Sequence, residues 1–277
     1  MKRAVVLKKI KIGFIGGGNM ARAMIKGLKS AGARGLFVYD TDPKALRLAV
    51  KAGAKKLKSN SEVAAASDMV VIAVKPASVM EALTGAAGNF GKKRLIISIA
   101  AGVTINSIMK WSGSKAPVIR AMPNMPALAG MGACVFAAGR GVSRAQAAAA
   151  GALFTSFCGV CYEMKESDMN KITAISGSGP AYFFYMAEAV IEAAQKMGLS
   201  RHHALMLTAQ TMAGAGRMLL DSGAPPEELR MRVTSRGGTT KSAVSVLDGA
   251  GVKKTIVKAV LAAKKRGDEM GRGRQDG

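Results

Sequence analysis

A glycine-rich stretch near the start of the chain has the residue types and spacing that bind a phosphate. A short apolar run ending at Ile15 is followed by three glycines and then by a pattern of helical period. Gly16-x-Gly18-x-x-Ala21 fits a fingerprint in which the first glycine makes a tight turn and the second admits a pyrophosphate. The third, small residue lets helix and strand pack closely. A purely structural glycine turn is the alternative.

An acidic residue follows at the distance that a dinucleotide site requires. Asp40 ends the next apolar run, about 20 residues after the glycines. Its carboxylate could accept bonds from a ribose 2′-hydroxyl, and its charge would repel a 2′-phosphate. The pattern therefore predicts a site for NADH or NADPH and favours NADH, although Lys44 could partly offset the repulsion. The expected cofactor-binding residues here are Gly16, Gly18, Asn19, Met20 and Asp40.

Three further stretches lie where strands should end. Because open α/β sheets bind ligands beyond the carboxyl ends of their strands, we expect cofactor contacts there. A buried strand should run over residues 68–74, with Val74 at its end, and stop at Lys75 and Pro76. Ala100 follows another apolar run among small residues that leave room for a flat ring. Asn124, after a third run over residues 116–120, offers both a donor and an acceptor. The alternative for Lys75 is an exposed loop cation.

The order of the patterns predicts two domains. Short apolar runs alternate with helical patterns through the first half, which is typical of a parallel sheet with crossover helices. From about residue 165 onward the strand pattern disappears and only helical patterns follow. We expect an α/β Rossmann-type dinucleotide-binding domain over residues 1–164 and an all-helical domain over residues 165–277.

The composition is that of a globular protein with a large basic excess. The chain has 277 residues, 49% hydrophobic and 21% charged, and a formal net charge of +24. Lysines and arginines are scattered, and aromatic residues, at 5%, are not interleaved with them. This favours a solvated basic surface over a specific nucleic-acid site, with incidental nucleic-acid affinity as the alternative. No apolar run approaches the roughly 18 residues of a membrane span or forms a signal peptide, so we expect a cytoplasmic protein.

The three cysteines do not form a recognisable metal or disulfide framework. Cys158 and Cys161 have the spacing of a redox or metal motif, but there is no second pair. The only histidines, His202 and His203, lie far away in the sequence. We therefore expect small residues in or beside a buried strand, and no metal site.

Two glycine-rich turns in the helical half precede helices. Ser176-Gly-Ser-Gly-Pro-Ala-Tyr182 opens one helix and Thr234-Ser-Arg-Gly-Gly-Thr-Thr240 opens another. Backbone N–H groups and the helix dipole favour an anion at such a terminus. The alternative is ordinary capping by serine and threonine.

Four stretches in this order resemble the pyrroline-5-carboxylate reductase family. They are Gly-x-Gly-Asn-Met-x-x-Ala, Arg-Ala-Met-Pro-Asn-x-Pro, Ser-Gly-Ser-Gly-Pro-Ala-Tyr and Thr-Ser-x-Gly-Gly-Thr-Thr, and the resemblance spans residues 11–265. It implies a Rossmann domain followed by a helical dimerisation domain like the C-terminal domain of 6-phosphogluconate dehydrogenase. It also implies a homodimer, or a higher homo-oligomer of dimers. The active site would lie between the cofactor of one subunit and the helical domain of the other.

The resemblance implies the last step of proline biosynthesis. A nicotinamide would deliver hydride to the imine carbon of 1-pyrroline-5-carboxylate, giving L-proline. The substrate carboxylate would bind backbone N–H groups of the Gly237-Gly238-Thr239-Thr240 turn. The Thr240 hydroxyl would bond the ring nitrogen, and Ser235 would help shape the loop, so these two are the expected catalytic residues.

Two departures from the family pattern bear on selectivity. Arg236 stands where the family usually has proline, which adds a cation near the carboxylate site. Met125 stands where it usually has threonine, which removes a hydroxyl near the nicotinamide. Two other functions fit the architecture: a related NAD(P)-dependent imine or hydroxy-acid oxidoreductase, and a non-catalytic dinucleotide-binding regulator. Hydroxy-acid oxidoreductases of this layout place a lysine on the helix after the Ser176–Tyr182 motif, and residues 181–188 contain none.

Overall fold

The computed structural model describes residues 7–272, and side chains as far as Met270. These residues form two compact units, residues 7–178 with 263–272, and Gly179–Ala262. The first unit extends past residue 164, where the strand pattern ends, because the short turns that follow contact the last strands of the sheet. The two units are described separately below.

The first unit alternates strands and helices in the predicted order. Its strands are β1 (Ile12–Ile15), β2 (Leu36–Tyr39), β3 (Lys55–Lys56), β4 (Met69–Ile72), β5 (Leu95–Ser98), β6 (Val118–Pro123), β7 (Gly132–Ala138) and β8 (Cys158–Glu163). Its helices are α1 (Asn19–Ser30), α2 (Pro43–Ala52), α3 (Asn60–Ala66), α4 (Val79–Thr84), α5 (Ile105–Ser112), α6 (Arg144–Thr155) and α7 (Met169–Ile172). Short 3₁₀ turns lie at Pro76–Ser78, Met125–Ala129 and Glu166–Asp168, and a π turn lies at Thr173–Gly177.

All eight strands form one sheet in the order β3-β2-β1-β4-β5-β6-β7-β8. The first six are parallel, β7 is antiparallel to β6, and β8 is parallel to β7. The strand order reverses between β1 and β4, which creates the crevice where doubly wound sheets bind dinucleotides. The predicted Rossmann-type architecture is confirmed.

Both faces of the sheet are buried, as parallel sheets require. On one face, Phe14 and Val71 pack with Met24 and Leu28 of α1 in a cluster that also includes α6. The neighbouring residues along the strands point the other way, and Ile72 packs there with the residues of α3, α4 and α5. The core thus holds β1 and β4 side by side and fixes the crevice between their ends.

Local sequence signals fix the helix that follows β2. Asp42 caps α2 by accepting a hydrogen bond from the Lys44 N–H at 2.8 Å, and Pro43 occupies the first turn. Gly53 ends the helix with φ 125°, a conformation that favours glycine. These caps hold the chain just after Asp40 in a defined turn.

The second unit is helical, as predicted. It contains α8 (Gly179–Lys196), α9 (Arg201–Ser222), α10 (Pro226–Arg232), α11 (Thr239–Gly249) and the first part of α12 (Val252–Arg272). Many large apolar side chains on these helices are exposed in the single chain, including Phe183 (65%), Tyr185 (73%), Val246 (72%) and Leu261 (61%). Exposed apolar surface on this scale is typical of an interface with another chain. Among the described residues, no helix is both long and apolar enough to cross a membrane.

Candidate active site

The first glycine of the fingerprint sits in a turn that no other residue could occupy without strain. Gly16 has φ 103°, and a Cβ added there would lie 2.8 Å from the backbone carbonyl of Ala73. Its N–H donates to the Tyr39 carbonyl at 2.9 Å. The turn is therefore packed between the ends of β2 and β4, which confirms the tight turn predicted from the sequence.

The second glycine faces open space at the start of α1. Gly18 is the N-cap residue, no side chain in the described part of the chain caps this helix, and no described atom lies within 4 Å of an added Cβ. Ala21 is fully buried, as close packing of helix and strand requires. Asn19 is exposed and accepts a bond from the Arg22 guanidinium, and Met20 packs against the core. The N-terminus of α1 thus presents backbone N–H groups to an open surface, as an anion site needs.

Asp40 joins the end of β2 to the glycine turn. Its Oδ2 accepts from the Gly17 N–H at 2.6 Å, and its Oδ1 accepts from the Asp42 N–H at 2.8 Å. The half-buried carboxylate is thereby fixed beside the turn. Each carboxylate oxygen has a further lone pair, so both remain able to accept a bond from a hydroxyl.

The residues after β4 reach the same turn. The Val74 N lies 2.9 Å from the position of a Cβ added at Gly16, so Val74 and Gly16 are in direct contact. Lys75 is exposed, and Pro76 begins a 3₁₀ turn. The strand β4 ends at Ile72 and is therefore shorter than the predicted strand, which ended at Val74.

The end of β5 lies beside the end of β4. The Ile99 N–H donates to the Ile72 carbonyl at 3.2 Å, and the Ala100 N–H donates to Ser98 Oγ at 3.3 Å. Ala100 is buried. The structure therefore brings Gly16, Val74 and Ala100 to the carboxyl ends of three adjacent strands, β1, β4 and β5.

Asn124 holds together the loops that follow β6. Its Nδ2 donates to the Ser176 carbonyl at 3.0 Å, and its Oδ1 accepts from the Ala133 N–H at 2.8 Å. The amide expected to contact the cofactor thus supports the protein itself, and only its second N–H and lone pair remain for a ligand. Met125, the next residue, is 55% exposed at the start of a 3₁₀ turn.

An ion pair between Arg120, buried in β6, and the half-buried Glu166 was not predicted from the sequence. Arg120 is 5% exposed, and its Nη1 lies 3.3 Å from Glu166 Oε1. Burial lowers the pKa of the guanidinium, and Glu166 partly opposes that change. The Arg120 Nη2 donates to Asn170 Oδ1 at 3.5 Å, and Asn170 Nδ2 donates to Asp268 Oδ1 at 3.0 Å. One signal was present: an arginine within an apolar strand requires a buried partner.

The glycine-rich turn from Thr234 to Thr240 leads into α11. The Gly238 N–H donates to the Ser235 carbonyl at 3.1 Å, and Gly237 has φ 72°. Gly238 is the N-cap residue, and no described side chain caps this helix, so ordinary capping by serine or threonine does not account for the motif. Thr239 is exposed, and Thr240 is half-buried. Arg236 and Ser235 are also exposed.

The cysteines occupy strands, as predicted. Cys134 lies in β7, and Cys158 and Cys161 lie in β8. Within residues 7–272, no group of three or more histidine, cysteine, aspartate or glutamate side chains could hold a metal ion.

Comparison with known proteins gives independent information about both halves of the chain. Residues 166–270 match the family model for pyrroline-5-carboxylate reductase dimerisation, and residues 11–102 match that for NADP oxidoreductase, coenzyme F420-dependent. The pyrroline-5-carboxylate reductase of Pseudomonas aeruginosa is 40% identical over 263 residues, which cover 94% of this chain and 96% of that protein.

Solved structures agree with this match. The structure of a pyrroline-5-carboxylate reductase from Coxiella burnetii superposes with a TM-score of 0.85 at 37% identity, covering 94% of this chain and 98% of that one. Plasmodium falciparum pyrroline carboxylate reductase, solved with NADP bound, also gives a TM-score of 0.85, at 33% identity and covering 96% and 99% of the two chains.

Proposed function

Because the chain belongs to the pyrroline-5-carboxylate reductase family, we propose that it reduces the imine of 1-pyrroline-5-carboxylate to L-proline with NADH or NADPH. This reaction is the last step of proline biosynthesis. The observation that carries the proposal is the turn at Gly16, enclosed by backbone on one side and followed by the open N-terminus of α1. A reduced nicotinamide, when bound, supplies the hydride.

The first unit would hold the cofactor along the carboxyl ends of β1, β4 and β5. The backbone at Gly18, Asn19 and Met20 would bind the pyrophosphate, since the helix terminus there is open. Asp40 would accept the ribose hydroxyls. The nicotinamide half would extend past the residues that follow the next strands, namely Val74, Lys75, Pro76, Ala100 and Asn124.

The second unit would hold the substrate at the start of α11. Backbone N–H groups from Gly237 to Thr240 would bind the carboxylate, which gains roughly 0.3–1 kcal/mol from the helix dipole. The Thr240 hydroxyl would bond the ring nitrogen. Ser235 would fix the loop, because its carbonyl accepts from the Gly238 N–H. By the family's arrangement, this turn would serve the cofactor of a partner subunit in a homodimer or a larger assembly of dimers.

No strong acid is needed in this reaction. A protonated imine is already electrophilic, so orienting the two reactants accounts for most of the catalysis. The turn accordingly offers hydroxyl and backbone N–H groups, and residues 234–240 contain neither histidine nor lysine.

The preference between the two cofactors would depend on Asp40. Its carboxylate is fixed beside the glycine turn by two backbone N–H groups, so its charge would oppose a 2′-phosphate and favour NADH. Removing one such charge is worth about 1 kcal/mol in water. We expect Asp40→Ser to raise the ratio of kcat/KM for NADPH to that for NADH by roughly fivefold. Serine keeps an acceptor for the Gly17 N–H.

Asp42→Ser is the matched control for this test. It removes an equal charge two residues away, and serine preserves the cap of α2. The ratio should stay within about twofold of the wild-type value in that variant. An unchanged ratio in Asp40→Ser would mean that the carboxylate does not face the 2′ position.

The experiment that tests the proposed reaction is an initial-rate assay of the full chain. Consumption of NADH and of NADPH would be followed with 1-pyrroline-5-carboxylate, and proline would be quantified as product. Cofactor binding without turnover would favour the regulator, and oxidation of hydroxy acids without imine reduction would favour the hydroxy-acid enzyme. Either result would overturn the proposal.

A further inference from the structure

The fold brings the three cysteines of the chain to one face of the sheet edge. Cys134 of β7 is paired directly with Cys161 of β8 in a parallel register. Gly132 is paired with Cys158, and Ala133 with Val160, so Gly159 is an extra residue that shifts the register. Because of this irregularity, Cys158 and Cys161 lie on the same side of β8 instead of opposite sides.

The three cysteines pack on the same side of the two strands and differ in exposure. Cys134 is 1% exposed and Cys158 is 6% exposed, whereas Cys161 is half-buried. Burial raises the pKa of Cys134, and hydrogen bonds with Cys158 and Cys161 raise it further. A small oxidant would therefore reach the Cys161 thiol first. The buried Cys134 is its direct neighbour on the adjacent strand.

The register selects one pair for a covalent bond. Directly paired residues on adjacent strands are about 4.8 Å apart at Cα, within the 4.4–6.8 Å range of disulfides. Cys158 lies two ladder steps from the level of Cys134, which gives a diagonal Cα separation of about 8 Å, beyond disulfide reach.

We propose that Cys134 and Cys161 form an oxidisable dithiol that a peroxide converts to an intramolecular disulfide. The Cys161 sulfur attacks a peroxide oxygen, the O–O bond breaks, and one water leaves behind a sulfenic acid. The Cys134 sulfur then attacks the Cys161 sulfur, the S–O bond breaks, and a second water leaves. Two thiols lose two electrons and two protons to the peroxide, and a dithiol reductant reverses the reaction.

The disulfide would act on the loop that Asn124 holds. The residue before Cys134 is Ala133, whose N–H donates to Asn124 Oδ1 at 2.8 Å. A Cβ added at the neighbouring Gly132 would lie 2.7 Å from Ala127 and 2.8 Å from the Cys158 sulfur, so strand and loop are tightly packed. We expect oxidation to lower the rate of imine reduction several-fold, a consequence that rests on the proposed function.

The test counts thiols and requires no enzymatic activity. The full chain would be treated with hydrogen peroxide, unfolded in guanidinium and titrated with a thiol reagent. We expect the count to fall from three to one and to return to three after dithiothreitol. Peptide mapping without reduction should recover the segments containing Cys134 and Cys161 joined to each other.

Single variants separate this pair from the alternatives. Cys158→Ala should still lose two thiols, whereas Cys161→Ser, at a half-buried position, should form no intramolecular disulfide and should keep its rate after treatment. Three surviving thiols in the wild type, a Cys158–Cys161 link or a link between chains would overturn the proposal. A Cys134–Cys161 disulfide that leaves the rate unchanged would overturn the effect on the loop.

Discussion

The turn at Gly16 and the turn at Gly237 both lead towards a helix with no side-chain cap, but only the first is enclosed by other residues. At Gly16, an added Cβ would overlap the backbone of Ala73, whereas at Gly237 it would meet no described atom within 4 Å. Both have positive φ, 103° and 72°. Glycine is therefore required at the first turn for space and conformation, and at the second for conformation alone.

The surroundings of the two turns explain this difference. The helix α1 buries five residues against the sheet, including Met24 and Leu28. The helix α11 buries none within the described chain. The first turn is thus completed by its own domain, while the second belongs to a unit whose apolar surface is exposed in one chain. The dimerisation match over residues 166–270 indicates that another chain covers such surface.

The largest effect should follow a substitution at the enclosed turn. Gly16→Ala places a methyl group 2.8 Å from the Ala73 carbonyl and forces a positive φ on alanine. We expect the free energy of unfolding to fall by about 3 kcal/mol or more, and the Kd for reduced dinucleotide to rise at least about 100-fold. Urea denaturation and fluorescence titration measure these quantities.

Gly237→Ala is the matched variant at the open turn. It carries the conformational penalty without a collision, so the loss of stability should be about 1–2 kcal/mol, with dinucleotide Kd unchanged. Equal losses of stability in the two variants would show that crowding at Gly16 has no energetic consequence. The proposed energetic difference between the turns at Gly16 and Gly237 would then be contradicted.

The next largest effect should follow the loss of an ion pair, and it should differ between the two units. Arg120→Met leaves Glu166 and Asn170 without their buried cation, and we expect a loss of about 3 kcal/mol in unfolding free energy. Arg232 in α10 forms a shorter pair with Glu228, at 2.7 Å, but the two side chains are 59% and 45% exposed. Arg232→Met should therefore cost at most about 1 kcal/mol.

A double variant separates the pair from general damage to the sheet. If Arg120 acts through Glu166, Glu166→Gln should cost less in the Arg120→Met background than in the wild type. Additive losses in urea denaturation would show that the two residues are energetically independent. The distance of 3.3 Å would then not represent a stabilising interaction.

Local patterns were sufficient to predict the fold of the first unit. The alternation of apolar runs and helical periods, with Pro43 and Gly53 at helix ends, gave the order of strands and helices. The direction of β7 and β8 was not predicted, because strand orientation depends on pairing between distant segments. The extent of β6 was also underestimated. It continues to Pro123 because Ala121, Met122 and Pro123 still pair with β7 after the pairing with β5 ends at Arg120.

The site was only partly predictable, because several of its contacts also join segments that are distant in the sequence. Gly16 is identified by its neighbours in the sequence, and the structure confirms its turn. Asn124 was assigned from its chemistry alone, yet its amide bonds Ser176 and Ala133, which only the fold brings near. The partners of Arg120 lie 46 and 50 residues away, beyond the range of any local pattern. Local patterns cannot predict contacts between residues that lie so far apart in the sequence.

The smallest expected effect lies at the open turn and is confined to catalysis. Thr240→Ala removes one hydroxyl from a half-buried position in a helix that buries nothing in the described chain. Stability and the Kd for reduced dinucleotide should therefore change little. The hydroxyl is proposed to bond the imine nitrogen, and one hydrogen bond is worth about 1 kcal/mol, so kcat should fall roughly fivefold. Ser245→Ala, on the same helix, should leave kcat unchanged. If Thr240→Ala also retained the wild-type kcat, Thr240 would have no part in the mechanism, and the open turn would serve only to hold the substrate carboxylate.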